Sequence, residues 1–423
     1  MRIAIIGTGI AGLSAAWLLS RDGHQVSVFE RLCEAGFSSQ SRRFDIDGQQ
    51  VTADVPSRMF NQLLWPNVVK LYRAAGIEFS NVDTSQSFSS IGSSRRVKLH
   101  LPYLPPTGSI ADFRNLKLFR DLLRFKKTGE QSLTQDDHEL SQLSFGQYLE
   151  RHRVSEDLIK FFLYPILSTT VCTCDYTALD NYPANIILES LHRINGDQPL
   201  LRVHGGTHTI SDTLLAGIDD LRFNTDIETV VRQPNQVMVG FVRDNKSHTE
   251  SFDQVIIATQ ANHARTIVGD LTSEEDSMLS AFDYQEVEVL VHRDSKLLNA
   301  DQAPATFNFV GAPDGSRSMC TVHLNRFHNE WPELDDVYQT ILPFQEPEPR
   351  SLLYRARFQR PVVDENTRAS WNSIDRLHQQ ADRRLWFCGS YAYPGIPLLE
   401  SAVASVFELS KRLAERSPLS PLG

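Results

Sequence analysis

Residues 1–30, MRIAIIGTGIAGLSAAWLLSRDGHQVSVFE, decide the fold of this chain. The apolar run Arg2–Ile6 is typical of a strand that is buried on both faces. It leads directly into Gly7-Thr8-Gly9-Ile10-Ala11-Gly12, which matches the pattern G-x-G-x-x-G. An Ala- and Leu-rich helical pattern follows, and a second strand, Gln25–Phe29, ends on Glu30. The stretch therefore predicts a strand–helix–strand unit.

Each part of this unit suits the binding of a dinucleotide. Gly7 makes the tight turn, Gly9 lets the backbone approach a pyrophosphate, and Gly12 lets helix and strand pack closely. The start of the helix offers unpaired N–H groups and a positive dipole end to the phosphates. Glu30 can accept hydrogen bonds from both ribose hydroxyls. A secretory signal peptide is the alternative, but the glycines interrupt the apolar run and no small-residue cleavage site follows.

Composition narrows the class of protein. The 423 residues suggest two or three domains, and the net charge of −10 makes a general nucleic-acid role unexpected. No apolar stretch reaches the roughly 18 residues that cross a bilayer. The five cysteines are sparse and odd in number, which favours a reducing, cytoplasmic compartment. Cys172 and Cys174 are the one pair of cysteines close together in the sequence. No histidine lies at a metal-ligand spacing from them, so we expect two free thiols in a strand-like segment and no metal site.

The period of the apolar residues divides the rest of the chain. From about residue 112 to 192 the apolar residues recur with the period of a helix, and this stretch is too long to be a loop. Within it, Ser144 and Gln147 form a possible capping box. Short strands return over 221–259. A mixed section from Tyr284 contains the strands Val287–His292 and Cys320–Leu324, and the chain closes with a strand at 385–390 and a helix over 398–414. These elements predict an α/β fold.

Three separated segments now resemble one family. The glycine fingerprint, Val255–Thr259 with Gln260-Ala261-Asn262, and Trp386-Phe387-Cys388-Gly389-Ser390 with the last helix are similar to the flavin-containing amine oxidase and phytoene desaturase superfamily. The nearest resemblance is to bacterial predicted NAD/FAD-binding proteins, some of them encoded beside cyclopropane-fatty-acid synthases. Softer matches in the same order lie at 54–61, 292–294 and 325–326. Two positions depart from the family: Phe37 replaces a second glycine, and Ser390 replaces a carboxylate.

The resemblance implies a Rossmann-like FAD-binding domain in three discontinuous segments, 1–80, 205–265 and 380–423. A substrate domain, helical plus mixed sheet, would be inserted as 81–204 and 266–379. The implied cofactor-binding residues hold the ADP half, the phosphates, the ribityl chain and the flavin ring. They are Gly7, Gly9, Ile10, Ala11, Gly12, Glu30, Arg31, Ser38, Arg42, Arg58, Val230, Gly389, Ser390, Pro397, Leu398 and Leu399.

The resemblance also implies that the protein is an FAD-dependent oxidoreductase that accepts hydride from an apolar substrate onto flavin N5. Pocket candidates are Tyr391, Tyr393, Leu398, Leu399 and Tyr164, roofed by apolar residues of 161–167. A fatty-acyl substrate is favoured over an amine because no carboxylate is assigned to hold a cation. The alternatives are an amine oxidase, a flavin-using isomerase without net redox, and a non-catalytic dinucleotide-binding protein. The electron acceptor stays open.

One helix also suggests a partner. Residues 112–127 combine six basic residues with the apolar anchors Phe113, Leu116 and Phe119, and Asp112 is placed to cap the helix. Basic amphipathic helices can lie in the headgroup region of a membrane and bind anionic lipid. Peripheral membrane contact is one expectation; the alternative is a surface helix that packs its apolar side on its own domain.

Overall fold

The computed structural model describes residues 1–92, 96–100, 113–134, 139–194, 199–298 and 305–413. The strands, in chain order, are β1 (Arg2–Ile6), β2 (Gln25–Phe29), β3 (Ser41–Ile46), β4 (Gln49–Asp54), β5 (Phe79–Asn81), β6 (Ser85–Ser90), β7 (Arg96–His100), β8 (Leu201–Val203), β9 (Asp220–Arg222), β10 (Thr225–Arg232), β11 (Val237–Arg243), β12 (Lys246–Phe252), β13 (Gln254–Ile257), β14 (Tyr284–His292), β15 (Phe307–Gly311), β16 (Ser318–His323), β17 (Tyr338–Ile341), β18 (Leu352–Pro361) and β19 (Leu385–Phe387).

The α-helices are α1 (Ile10–Arg21), α2 (Pro66–Ala74), α3 (Phe113–Thr134), α4 (Phe145–Arg151), α5 (Glu156–Leu158), α6 (Tyr164–Ile166), α7 (Tyr176–Asn181), α8 (Ala184–Ile194), α9 (Gly206–Leu215), α10 (Ala261–Ile267), α11 (Ser273–Ser280), α12 (Leu324–Phe327), α13 (Glu365–His378) and α14 (Leu399–Leu413). Two π-helical turns, Ile159–Leu163 and Leu167–Val171, flank α6. Short 3₁₀ turns occur at Leu140–Gln142, Ser295–Leu298 and Pro349–Ser351.

A five-stranded parallel sheet, ordered β19-β13-β1-β2-β9, forms the first layer. Its central strand β1 is buried on both faces, because Ile3 and Ile5 point into one apolar core and Ala4 and Ile6 into another. Helix α1 lies on the first of these cores against α9 and α14. The α/β class and the Rossmann-like unit that the sequence predicts are confirmed. The sheet takes its strands from 1–80, 205–265 and 380–423.

A seven-stranded mixed sheet, ordered β18-β14-β17-β16-β15-β6-β7, forms the second layer. Its strands are antiparallel except for the parallel pair β15–β6. They come from two stretches of chain that are far apart, 85–100 and 284–361. The helical stretch between these segments packs on the sheet through α6, which contacts β15 and β16.

The strand β6 shows why sequence periodicity missed part of this sheet. Its sequence SQSFSS is almost entirely polar, yet Ser85, Gln86, Ser87 and Ser89 are buried. Two of the serines have side-chain partners: the Ser85 hydroxyl donates to Asp83 Oδ2 at 2.8 Å and the Ser87 hydroxyl donates to Asn308 Oδ1 at 2.7 Å. Buried polar side chains are tolerated where each finds such a partner.

The sequence predicted the local helix signals well but misjudged the cysteine pair. Ser144 and Gln147 form the expected capping box at the start of α4. The segment at Cys172 and Cys174 is not strand-like: it ends a helical turn, and Thr173 adopts a left-handed φ of 56°. Asp112, expected to cap α3, lies outside the described residues. Within the described ranges, no helix has the length and apolarity needed to cross a bilayer, and no three His, Cys, Asp or Glu side chains are grouped to hold a metal ion.

Candidate functional site

The glycine turn at 7–12 leaves the start of α1 open. Gly7 has a φ of 99°, and a Cβ on Gly12 would lie 1.9 Å from the Gly7 carbonyl oxygen, so both positions exclude a side chain. A Cβ on Gly9, in contrast, would meet nothing within 4 Å. Helix α1 has no side-chain cap and no acidic residue in its first turn. Its positive end and free N–H groups therefore face open space, as an anion-binding helix start requires.

Glu30 lies beside this turn and is already engaged. Its Oε2 accepts hydrogen bonds from the Thr8 N–H at 3.0 Å and the Thr8 hydroxyl at 2.5 Å. Its Oε1 accepts from the Leu32 N–H at 3.0 Å. A carboxylate has about four acceptor sites, so roughly one stays free for a ribose hydroxyl rather than the two that the sequence suggested. A Cβ on Gly36 would come within 3.0 Å of Oε2, which explains a glycine at that position.

A cavity of about 350 Å³ extends from the glycine turn to the seven-stranded sheet. Ten residues that the sequence proposed for cofactor or pocket lie in its lining: Gly9, Ile10, Ala11, Arg58, Gly389, Ser390, Tyr391, Pro397, Leu398 and Leu399. They come from three chain segments, 9–11, 58 and 389–399, the last more than 300 residues from the other two. The volume falls at the small end of the range typical of ligand pockets.

The far walls of the cavity are apolar. The seven-stranded sheet supplies Val287, Val289, Phe307, Val322, Ile341 and Phe358. Its roof consists of Thr169, Thr170 and Thr173 rather than the predicted apolar run 161–167. The Thr169 hydroxyl donates to the Pro165 carbonyl at 2.6 Å and the Thr170 hydroxyl to the Ile166 carbonyl at 2.8 Å. Two of the three hydroxyls in this roof are therefore already bonded to carbonyls of their own helix.

Several predicted cofactor residues do not line the cavity. Arg31 is exposed, and the Ser38 hydroxyl donates to the Ala35 carbonyl. The Arg42 guanidinium lies over the Tyr354 ring, 5.1 Å from its centroid. Val230 is fully buried in β10, where its carbonyl accepts from the Gly269 N–H. Sequence order alone could not place these residues, because Arg31 and Ser38 lie in the loop after β2, whereas Arg42 lies in β3 and Val230 in β10.

The three tyrosines proposed for the pocket, Tyr391, Tyr393 and Tyr164, lie in three different places in the structure. Tyr391 lines the cavity, buried against Phe282 with ring centroids 5.2 Å apart. Tyr393 faces a second cavity of about 630 Å³ together with Glu400. Tyr164 is buried in the helical stretch, where its hydroxyl donates to Asp180 and its ring meets Tyr176 at 4.7 Å. Of the two tyrosines after Gly389, the one beside the cavity is therefore Tyr391.

The lining contains buried polar atoms that have no hydrogen-bond partner among the described residues. These atoms are Ser57 Oγ, Tyr391 Oη and Arg360 Nε. Burial raises the pKa of Tyr391 well above its ordinary value, so its hydroxyl keeps its proton. Buried polar groups in proteins are nearly always paired. Three orphans around one cavity therefore point to a bound molecule with polar groups of its own.

The charge of the lining is positive. Among the described lining residues the charged side chains are Arg58 and Arg360, and no aspartate, glutamate or lysine is present. The family resemblance indicated Arg58, whereas no motif in the sequence indicated Arg360. Gln359-Arg360-Pro361 carries no motif, and only the pairing of β18 with β14 brings Arg360 to this wall.

Comparison with known proteins agrees with this architecture. Residues 5–75 match the family model of the NAD(P)-binding Rossmann-like domain. A putrescine oxidase redesigned in cofactor binding is 13% identical, with a TM-score of 0.69 over 98% of this chain and 100% of that one.

A CLA-producing fatty acid isomerase from P. acnes is 16% identical, with a TM-score of 0.68 over 97% of this chain and 98% of that one. Cyclohexylamine oxidase from Brevibacterium oxydans IH-35A is 12% identical, with a TM-score of 0.64 over 98% of this chain and 99% of that one. Residues 5–75 thus form an NAD(P)-binding Rossmann-like domain, and the chain shares its fold with these two oxidases and the isomerase over 97–98% of its length.

Proposed function

We propose that this protein is an FAD-dependent oxidoreductase that oxidises an apolar substrate. One observation carries the proposal: a single cavity joins the open start of α1 to the apolar wall of the seven-stranded sheet. Such a cavity can hold a dinucleotide cofactor at one end and a substrate at the other. The likeness in fold to putrescine oxidase and cyclohexylamine oxidase supports the same reading.

The residues present fit FAD. The uncapped start of α1 and the clear space at Gly9 suit the pyrophosphate, and Glu30 retains acceptor capacity for a ribose hydroxyl. Ser390 lines the cavity, where its hydroxyl can bond a ribityl oxygen. Leu398 and Leu399 stand at the start of the 15-residue helix α14, whose N–H groups can stabilise negative charge.

When bound, the flavin supplies the hydride-accepting chemistry. The chain's own residues bind the cofactor, orient the substrate and exclude water from both. The apolar walls at Val289, Phe307 and Val322 exclude water and align an apolar substrate toward the cofactor end. Buried Tyr391 offers a neutral hydroxyl as a donor.

The character of the cavity favours a fatty-acyl substrate over an amine. An ammonium ion needs a carboxylate or an aromatic cage to replace its hydration. The described lining has aromatic rings, Tyr284 and Tyr391 among them, but no carboxylate. Its two charges are both positive and would repel an ammonium ion. An acyl chain needs only apolar walls and an approach to the flavin.

The test begins with the purified protein. We expect an absorption spectrum with flavin bands and release of FAD on denaturation. Anaerobic mixing with unsaturated fatty-acyl compounds should bleach the flavin, whereas primary amines and polyamines should not. Bleaching of the flavin by amines alone would show that an amine, and not a fatty-acyl compound, is the substrate. Conversion of the fatty-acyl compound without net bleaching of the flavin would indicate an isomerase. A colourless protein that takes up no FAD would contradict the proposal and leave a non-catalytic dinucleotide-binding protein.

We also propose that the exposed face of α3 contacts an anionic membrane surface. This face, defined as Leu116, Lys117, Arg120, Leu123, Arg124 and Lys127, is solvent-exposed at helical spacing. Leu116 and Leu123 are 48% and 67% exposed. Phe119, an anchor suggested by the sequence, instead packs against the protein's own core, as do Leu118 and Phe125. Four cations and two leucines suit the headgroup region of anionic lipid.

A further inference from the structure

Arg58 and Arg360 both line the cavity, although they lie about 300 residues apart in the sequence. Arg58 follows Pro56 and Ser57 in the first segment of the Rossmann-like region, and Arg360 lies near the end of β18, opposite Gln285 of β14. The positive start of α1 and the open space at Gly9 suit the phosphates of a dinucleotide, so these phosphates do not require the two arginines. Arg360 lies on the wall formed by the apolar side chains of the seven-stranded sheet. We therefore expect a negatively charged group of a bound molecule to lie beside this wall.

Neither guanidinium has an anionic partner in the part of the chain that the structure describes. The Arg58 guanidinium lies over the Phe37 ring, 5.7 Å from its centroid, and donates no hydrogen bond to a described side chain. Asp54 attracts it through space only, because the Asp54 carboxylate accepts from the Thr207 N–H and hydroxyl, at 3.0 and 2.6 Å. Arg58 therefore keeps its charge without a direct counter-ion.

The surroundings of Arg360 are neutral. Burial raises the pKa of both Tyr182 and Cys172 well above their ordinary values, so neither supplies a negative charge at neutral pH. The Arg360 Nε is buried and unpaired. The two arginines also oppose each other: burial first, and then the charge of Arg360, lowers the pKa of Arg58 to about 10.

Two unpaired charges of one sign in an apolar cavity are costly unless a ligand neutralises them. Arginine is suited to carboxylates because its planar fork donates two parallel hydrogen bonds. We propose that Arg58 and Arg360 bind the carboxylate of an apolar, chain-like substrate, so that this cavity selects free carboxylic acids over neutral esters and amines. The inference rests on the proposed function in taking this cavity as the substrate site.

The experiment uses the full-length protein and three ten-carbon probes: decanoate, methyl decanoate and decylamine. Calorimetric titration is done with and without added FAD. We expect decanoate to bind at least tenfold more tightly than its methyl ester, and decylamine more weakly than either. Arg58→Met and Arg360→Met should each weaken decanoate at least tenfold and leave the ester unchanged. Arg360→Lys, which keeps the charge but loses the fork, should fall between.

The matched control is Arg357→Met, because Arg357 lies on the same strand but is exposed and paired with Glu288. It should leave all three affinities unchanged. Thermal unfolding of Arg360→Met without ligand should occur at the same temperature or higher, since an unpaired buried charge is removed.

Equal binding of decanoate and its ester would overturn the proposal. So would arginine variants that weaken FAD binding while decanoate binding stays the same, because the pair would then serve the cofactor. If the protein takes up no FAD, the proposed oxidoreductase function fails, whereas decanoate binding to the FAD-free protein still tests the two arginines.

Discussion

Glu30 and Thr8 are joined by two hydrogen bonds to one oxygen atom: Glu30 Oε2 accepts from the Thr8 N–H at 3.0 Å and from the Thr8 hydroxyl at 2.5 Å. The same hydroxyl accepts from the Gly36 N–H at 2.7 Å. The end of β2, the glycine turn and the loop after β2 are thus connected through two side chains. The acid of the fingerprint therefore organises the turn in addition to offering an acceptor to a ribose.

We predict that Glu30→Ala lowers both FAD affinity and stability. Loss of an acceptor for a ribose hydroxyl should cost about 1.5–3 kcal/mol of binding free energy, the usual size for a hydrogen bond to a charged group. The buried Thr8 N–H also loses its partner, so the thermal midpoint should fall. FAD titration and thermal unfolding measure the two effects. Glu34→Ala, in the same loop, is the control, and equal FAD affinity in a folded Glu30→Ala protein would refute the assignment.

Gly12 and Gly9 should respond differently to the same added methyl group. Gly12→Ala forces a Cβ to within 1.9 Å of the Gly7 carbonyl oxygen, so we expect a loss of stability of about 3 kcal/mol or more, or a failure to fold. Gly9→Ala meets nothing within 4 Å and should fold normally, yet bind FAD more weakly because its methyl enters the cavity. Denaturant unfolding and FAD titration separate the cases. Matching behaviour of the two variants would contradict the prediction.

Acid should destabilise the protein through buried histidines. Burial lowers the pKa of His378 to about 3, and its Nε2 accepts from the Phe387 N–H at 3.2 Å. The unfolded state, with a pKa near 6.5, then binds more protons between pH 6.5 and 3. Stability is therefore complete above about pH 6.5 and falls as the pH is lowered, by about 2–4 kcal/mol at pH 4 from this group.

His378→Gln keeps an acceptor for Phe387 but does not titrate, so its free energy of unfolding should fall less between pH 6.5 and 4. Urea unfolding at several pH values measures this difference. His248→Gln is the control because His248 is exposed. An identical pH slope in wild type and His378→Gln would show that this histidine does not contribute.

The exposed face of α3 should bind anionic vesicles in a salt-dependent manner. We expect co-sedimentation with phosphatidylglycerol-containing vesicles that weakens from 50 to 300 mM salt, and little with neutral vesicles. Arg120→Glu with Arg124→Glu should abolish it. Arg350→Glu, a reversal at an 87% exposed site elsewhere, should not. Binding that ignores lipid charge would contradict the membrane proposal.

Two arginines, Arg58 and Arg360, differ in how far the sequence could predict their positions. Arg58 follows a segment that the family resemblance could quote, and it lies in the cavity. Arg360 belongs to β18, LLYRARFQRP, in which Tyr354, Ala356 and Phe358 alternate with polar residues. The period of two places Arg360 on the same face as these apolar side chains. Its position depends on register with β14 across more than 60 residues of chain. The alternation could have placed Arg360 on the inner face of the strand, but only the pairing of distant strands shows that it reaches the cavity.

The sequence by itself determined the Rossmann-like unit, the open start of α1 and the helix caps, because these depend on glycine sterics, short apolar periods and hydrogen bonds within a few residues. Only the tertiary structure decided that β6 is a buried strand, that Tyr391 rather than Tyr393 faces the cavity, and that two unpaired arginines meet there. Those features arise from pairing between distant segments. In such pairing, burial and partner groups, and not the intrinsic preference of each residue, fix the side chain's surroundings.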